Sequence, residues 1–236
     1  MASDRRRVQE MAETLRTGGP RGKAGRLFGA LPAEVQRRAS VYGPSVLYGT
    51  VKFTAASSAI AAKTILEAFS HAVGQTGSTA TDGYSGALTL RETNLLDSGK
   101  LPASMFFVAD KIGMRILEAP AADFLTKNLA PNFLATFHYR EQRLDLGAVD
   151  NWPWGGGLSG AVATTQSSTD RLVGPNNGIP DHRAMRQLSD DELIVFEPQQ
   201  VWGVEFNSGA GISSLSGASV TIEAQVKFEG MLLKVA

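Results

Sequence analysis

A chain of 236 residues with 43% hydrophobic content is long enough to bury a real core, in one large domain or two small ones. Zero formal net charge argues against a whole-molecule polyanion binder, and the absence of cysteine excludes disulfides, thiolate metal sites and a cysteine nucleophile. Charged residues make up 19%, below the usual level of about 25%, and the 25 glycines point to many turns.

The N-terminal MASDRRRVQEMAETLR is charged and has no apolar signal-peptide core, so a soluble protein made inside the cell is expected. Val8, Met11 and Leu15 recur at helical spacing, Thr17-Gly18-Gly19-Pro20 stops that helix, and Leu31 to Val35 opens another turn. Residues 1–38 hold nine basic residues, Arg5, Arg6, Arg7, Arg16, Arg21, Lys23, Arg26, Arg37 and Arg38, against four acidic ones. That is a net +5, which leaves −5 for the remainder. Residues 1–41 are therefore expected to form a basic, partly helical arm. Three roles fit it: contact with nucleic-acid phosphates, an amphipathic helix on an anionic membrane face, or a solvated tail.

Ser45 to Phe53 is rich in β-formers and predicts a strand. Lys63 to Val73 fits a strand or a helix equally well, and Gln75 to Gly86 is a polar loop. Leu88 to Leu95 predicts a strand. The turn Asp97-Ser98-Gly99-Lys100, then Pro102, leads into a longer strand over Met105 to Leu117. A short helix is expected over Ala121 to Leu129, and an alternating strand over Phe133 to Leu146.

Gly147 to Leu188 is a long irregular stretch, an inserted loop around 147–190, and its length makes a functional or interfacial role the expectation. Two short strands follow within Glu192 to Phe206, a Gly-rich loop covers 209–217, and Ser219 to Val235 closes with clear alternation. Eight to ten strands that do not alternate with helices predict an all-β, antiparallel jelly-roll sandwich over residues 42–236.

His71, His138 and His182 lie far apart and lack the spacing of a metal site, and the glycine clusters miss the phosphate-loop and nucleophile-elbow patterns. No catalytic, cofactor or metal residue is assigned, and an enzyme is not expected. Trp152 and Trp154, with Trp202, fit either a carbohydrate platform or packing and subunit contact. A β-sandwich carbohydrate-binding module using Trp152 and Trp154 is the alternative function.

Taken in order, SVLYGTVKF, TILEAFSHAVGQ, RETNLLDSGKLPASMFFVADKIGMRI, FHYREQRLDLGAV, ELIVFEPQQVWGVEF and VTIEAQVKFEGMLLKV form a pattern of strands and turns. This pattern resembles the jelly-roll major capsid proteins of tailless icosahedral bacteriophages, of the single or double jelly-roll lineage. The resemblance implies a virion subunit that self-assembles into an icosahedral shell through trimers or pseudo-hexameric capsomers, beside other capsid proteins. It also implies an arm turned inward, toward the genome or an internal lipid membrane. The residues after the arm are few for two complete jelly rolls, so a single one is expected, with the double version as runner-up.

Overall fold

The computed structural model describes residues 23–55, 59–61, 63–118, 134–148, 185–209, 212–213 and 220–235. The expected helices over 8–15 and 121–129, and nearly all of the long inserted loop, lie outside them. Two short helices, α1 (Lys23–Gly29) and α2 (Ala33–Arg38), lead into β1 (Ala39–Ala55). Strands β2 (Ala59–Ile60), β3 (Ile65–Ala68), β4 (Met105–Glu118), β5 (Leu134–Tyr139) and β6 (Gln142–Ala148) follow. The chain then forms β7 (Arg186–Gln187), a 3₁₀ turn (Asp190–Glu192), β8 (Ile194–Phe196), β9 (Trp202–Asn207), β10 (Ile212–Ser213) and β11 (Val220–Val235).

The alternation of the last segment governs the first sheet. Ile222, Ala224, Val226 and Phe228 are buried on one side of β11, while Thr221, Glu223, Gln225, Lys227 and Glu229 take the other. β11 pairs antiparallel with β1 along almost its whole length, and with β4 on its other side. The sheet runs β1-β11-β4, with β7 and β8 both pairing beyond β4. The second sheet runs β3-β9-β5-β6, and β2 and β10 make a separate small ladder. Consecutive large strands are dealt alternately to the two sheets, apart from the β5–β6 hairpin. The result is an antiparallel β-sandwich.

Between the sheets lies an aromatic core. Trp202, Phe107, Phe196, Phe206 and Phe228 are all fully buried. The Trp202 ring centroid is 4.5 Å from Phe69 and 4.5 Å from Phe196, and Phe228 lies 5.1 Å from Phe196. Tilted and edge-on ring pairs at such distances add about 0.5–1.5 kcal/mol each beyond the area they bury.

The turn at Asp97-Ser98-Gly99-Lys100 clamps this core from one end. Gly99 adopts φ 61, its N–H donates to Phe69 O at 2.8 Å, and its carbonyl accepts from Trp202 N at 2.9 Å. One glycine residue thus joins the ends of β3 and β9 just before β4 begins. Phe69 itself takes a left-handed φ of 72, which ends β3 and turns its ring inward beside Trp202.

Two expected elements differ. Leu88 to Leu95 is a loop rather than a strand, because its polar groups serve local turns and the edge of β1. Glu92 Oε2 accepts from Thr89 N–H and Oγ1, and Asn94 binds β1 through Nδ2 to Val46 O at 2.6 Å and through Oδ1 to Tyr48 N–H at 2.9 Å. Together with the preceding loop, where Asp82 O accepts from Lys52 N–H at 2.8 Å, the Leu88 to Leu95 loop covers an edge that would otherwise present free backbone groups. The single run expected over Phe133 to Leu146 is a hairpin that turns at Arg140, φ 58. Helix α1 was hidden from the apolar pattern of the sequence, since its partners are distant in the chain.

Candidate assembly surface

Leu27, Phe28 and Leu31 are buried against Val108, Met231 and Leu233 on the outer face of the first sheet, with Val35 and Val195 beside them. Each such side chain contributes about 1.5–3 kcal/mol when fully removed from water. Residues 23–38, read from sequence as part of the arm, therefore pack on the sandwich.

An ion pair fixes this docking. Between Ala109 and Lys111 the β4–β11 register slips by one residue, and the extra residue is Asp110. The bulge leaves Asp110 on the outer side, where it is buried beneath α1. Arg26 lies 3.8 Å from its Oδ2 and 3.1 Å from Asp190 Oδ1. Gly230 is required opposite this bulge, because a Cβ there would stand 1.9 Å from Val108 O.

Arg26, expected as a phosphate or lipid contact, faces Asp110 and Asp190 between helix and sheet. Arg37 and Arg38 are exposed at the end of α2, and Arg37 Nε donates to Ala33 O at 3.4 Å. Lys23 is the first residue of α1, and Arg5, Arg6, Arg7, Arg16 and Arg21 lie outside the described residues.

Trp202 takes the packing alternative. It is completely buried in the core, because the alternation of VWGVEF turns it inward with Val204 and Phe206. Trp152 and Trp154 lie outside the described residues.

The outer face of the second sheet is polar. Glu205 on β9 pairs with Arg143 on β6, and Glu67 on β3 reaches His138 on β5. Exposed Ile65 and Leu134 sit at the same level on either side of Asn207. Where β6 and β8 form the open side of the sandwich, Phe137, Tyr139, Leu144, Ile194 and Val195 line a groove of about 560 Å³.

Ser70, His71 and Asp82 meet in space, which raises the question of a nucleophile relay. Ser70 Oγ, at 3.1 Å, and Asp82 Oδ2, at 2.7 Å, both approach the same ring nitrogen, His71 Nδ1. A relay needs the two on opposite nitrogens, so this arrangement does not build one. Asp82 instead organises its loop, with Oδ1 accepting from the N–H of Ser78 and of Tyr84. Burial, with Glu223 nearby, pushes the Tyr84 hydroxyl well above its ordinary pKa, so it stays neutral. No group of three metal-ligating side chains occurs among the described residues.

Sequence reasoning missed Asp110 and the Glu67–His138 contact. A lone carboxylate inside the apolar run MFFVADKIGM is the one signal that could have marked the first. The second depends on three strands meeting and leaves no trace in local spacing.

Comparison of the chain with protein-family models, curated proteins and solved structures finds no match.

Proposed function

We propose that this chain is a structural shell subunit: a single jelly roll that assembles with copies of itself into an icosahedral viral capsid. The strand order carries the reading. One sheet ordered β1-β11-β4-β8 faces another ordered β3-β9-β5-β6, with successive strands dealt between them, an order that supports two interleaved Greek keys of jelly-roll type. That architecture also serves lectins and cupins, so the function must rest on more than the fold.

Two features favour a shell. The basic N-terminal segment is joined to the body at Lys23, on the outer face of the first sheet. We assign that face to the particle interior, toward genome phosphates or an internal anionic membrane. The sandwich edge at β1 is already capped by its own loop, which leaves side chains and loops to make subunit contacts without uncontrolled strand pairing.

The test is mass photometry with negative-stain imaging of the purified chain at low and moderate salt, alone and with nucleic acid or anionic vesicles. Trimers, hexamers or shell-like particles are expected. A monomer under every condition would overturn the shell reading. Replacing Arg5, Arg6 and Arg7 by Ala should reduce nucleic-acid or vesicle binding while the circular dichroism of the β-body stays unchanged.

A further inference from the structure

Glu67 and His138 belong to strands that do not touch, because β9 runs between β3 and β5. Strands two places apart are separated by about 9.5 Å, and a side chain on the middle strand normally fills the space between them. Here Glu67 Oε1 and His138 Nε2 are 2.9 Å apart. The register shows how: His138 lies opposite Gly203, and Glu67 lies opposite Glu205, two residues further along β9. A Cβ at position 203 would stand 2.5 Å from Glu67 Oε1 and 2.9 Å from both His138 Cε1 and Nε2. The two side chains meet over a backbone that has none of its own.

We propose that the Glu67–His138 bridge across Gly203 is a proton-dependent tie that holds β3, β9 and β5 together, tight while the ring is protonated and slackened once it loses its proton. The charged groups facing His138 are Glu67 on β3, Glu205 on β9 and Arg143 on β6. Glu205 and Arg143 are paired with each other, which leaves Glu67 as the direct partner. The other ring nitrogen, Nδ1, is buried and makes no hydrogen bond among the described residues, so Glu67 alone orients the ring.

Geometry and charge agree in sign. The hydrogen bond that His138 donates to Glu67 is the largest influence and raises the His138 pKa. Burial opposes it, Glu205 adds to it, Arg143 subtracts, and the net shift is upward. A pKa raised in the folded state gives stability that is complete below the ordinary histidine value of about 6.5 and is lost as pH climbs through the raised value. The tie is independent of any shell function, since it concerns the cohesion of one sheet.

The experiment compares urea midpoints of the full chain and of His138→Gln between about pH 5.5 and about pH 8. The difference between the two cancels whatever His71 and His182 contribute. The wild-type excess in midpoint should be largest at the acid end and shrink toward the alkaline end. An NMR titration of the His138 ring should move to lower pH in Glu67→Gln. A midpoint difference that is constant with pH, or a His138 titration unmoved by Glu67→Gln, would overturn the tie.

Discussion

The outer faces of the two sheets are finished in different ways. On the first, apolar Val108, Met231 and Leu233 lie beneath α1, while Thr50 and Gln225 lie beneath the loop around Arg91, held by Gln225 Nε2 bonds to Thr50 Oγ1 and Arg91 O, both 3.2 Å. On the second, the half-buried side chains of Glu67, Glu205 and His138 are joined pairwise to partners two strands away. A covered face draws its stability from apolar area removed from water, which salt and pH scarcely touch. A face held by exposed charge pairs gains little from each and loses that little when salt screens it. The two faces therefore suit different work, one anchoring a segment permanently and the other meeting solvent or partners.

Leu233→Ala should have the largest effect, because it opens a cavity between β11 and the helices. A loss of about 2–5 kcal/mol is expected in urea unfolding, unchanged by salt. Gly83→Ala comes next. Its Cβ would stand 1.6 Å from Lys52 O at a backbone φ of 84, so the loop must leave the β1 edge at a cost of about 1–3 kcal/mol. Hydrogen exchange should then accelerate at Lys52 N–H, whose bond to Asp82 O is lost.

Arg26→Ala removes a partner of buried Asp110 and should cost about 1–3 kcal/mol. Limited proteolysis should then cut within 29–38 sooner than in the wild type, and an unchanged cleavage rate would contradict the role given to Arg26. The smallest change belongs to the other face. Arg143→Ala should cost less than about 1 kcal/mol, and a double-mutant cycle with Glu205→Gln should show the coupling vanish at high salt.

Strands with period-two patterns and paired faces were legible from the residues alone. Met105 to Leu117 and Ser219 to Val235 fall almost where β4 and β11 lie, because one side of each meets an apolar core throughout. Leu88 to Leu95 misled because its alternation of leucine with polar residues mimics a strand, whereas exposed Leu90 and the side chain of Asn94 serve a loop laid along β1. The basic stretch was visible as charge, but charge does not reveal which arginine is spent internally. Arg26 differs from Arg37 and Arg38 in facing Asp110, 84 positions later in the chain, and Asp190. Trp202 sits in a run that alternates cleanly, and weighing VWGVEF as a strand rather than counting tryptophans would have sent it inward.

The pairing of β1 with β11 carries a consequence for biosynthesis. The strand between β1 and β4 is the last of the described strands to leave the ribosome, so the first sheet lacks its middle member until β11 has been made. Contacts between such distant segments form slowly, on timescales of about milliseconds to seconds in β-rich domains. A nascent chain must hold two incomplete strand edges apart during that interval, when they are most prone to pair wrongly. A chain stopped before Val220 would therefore have no native first sheet to enter.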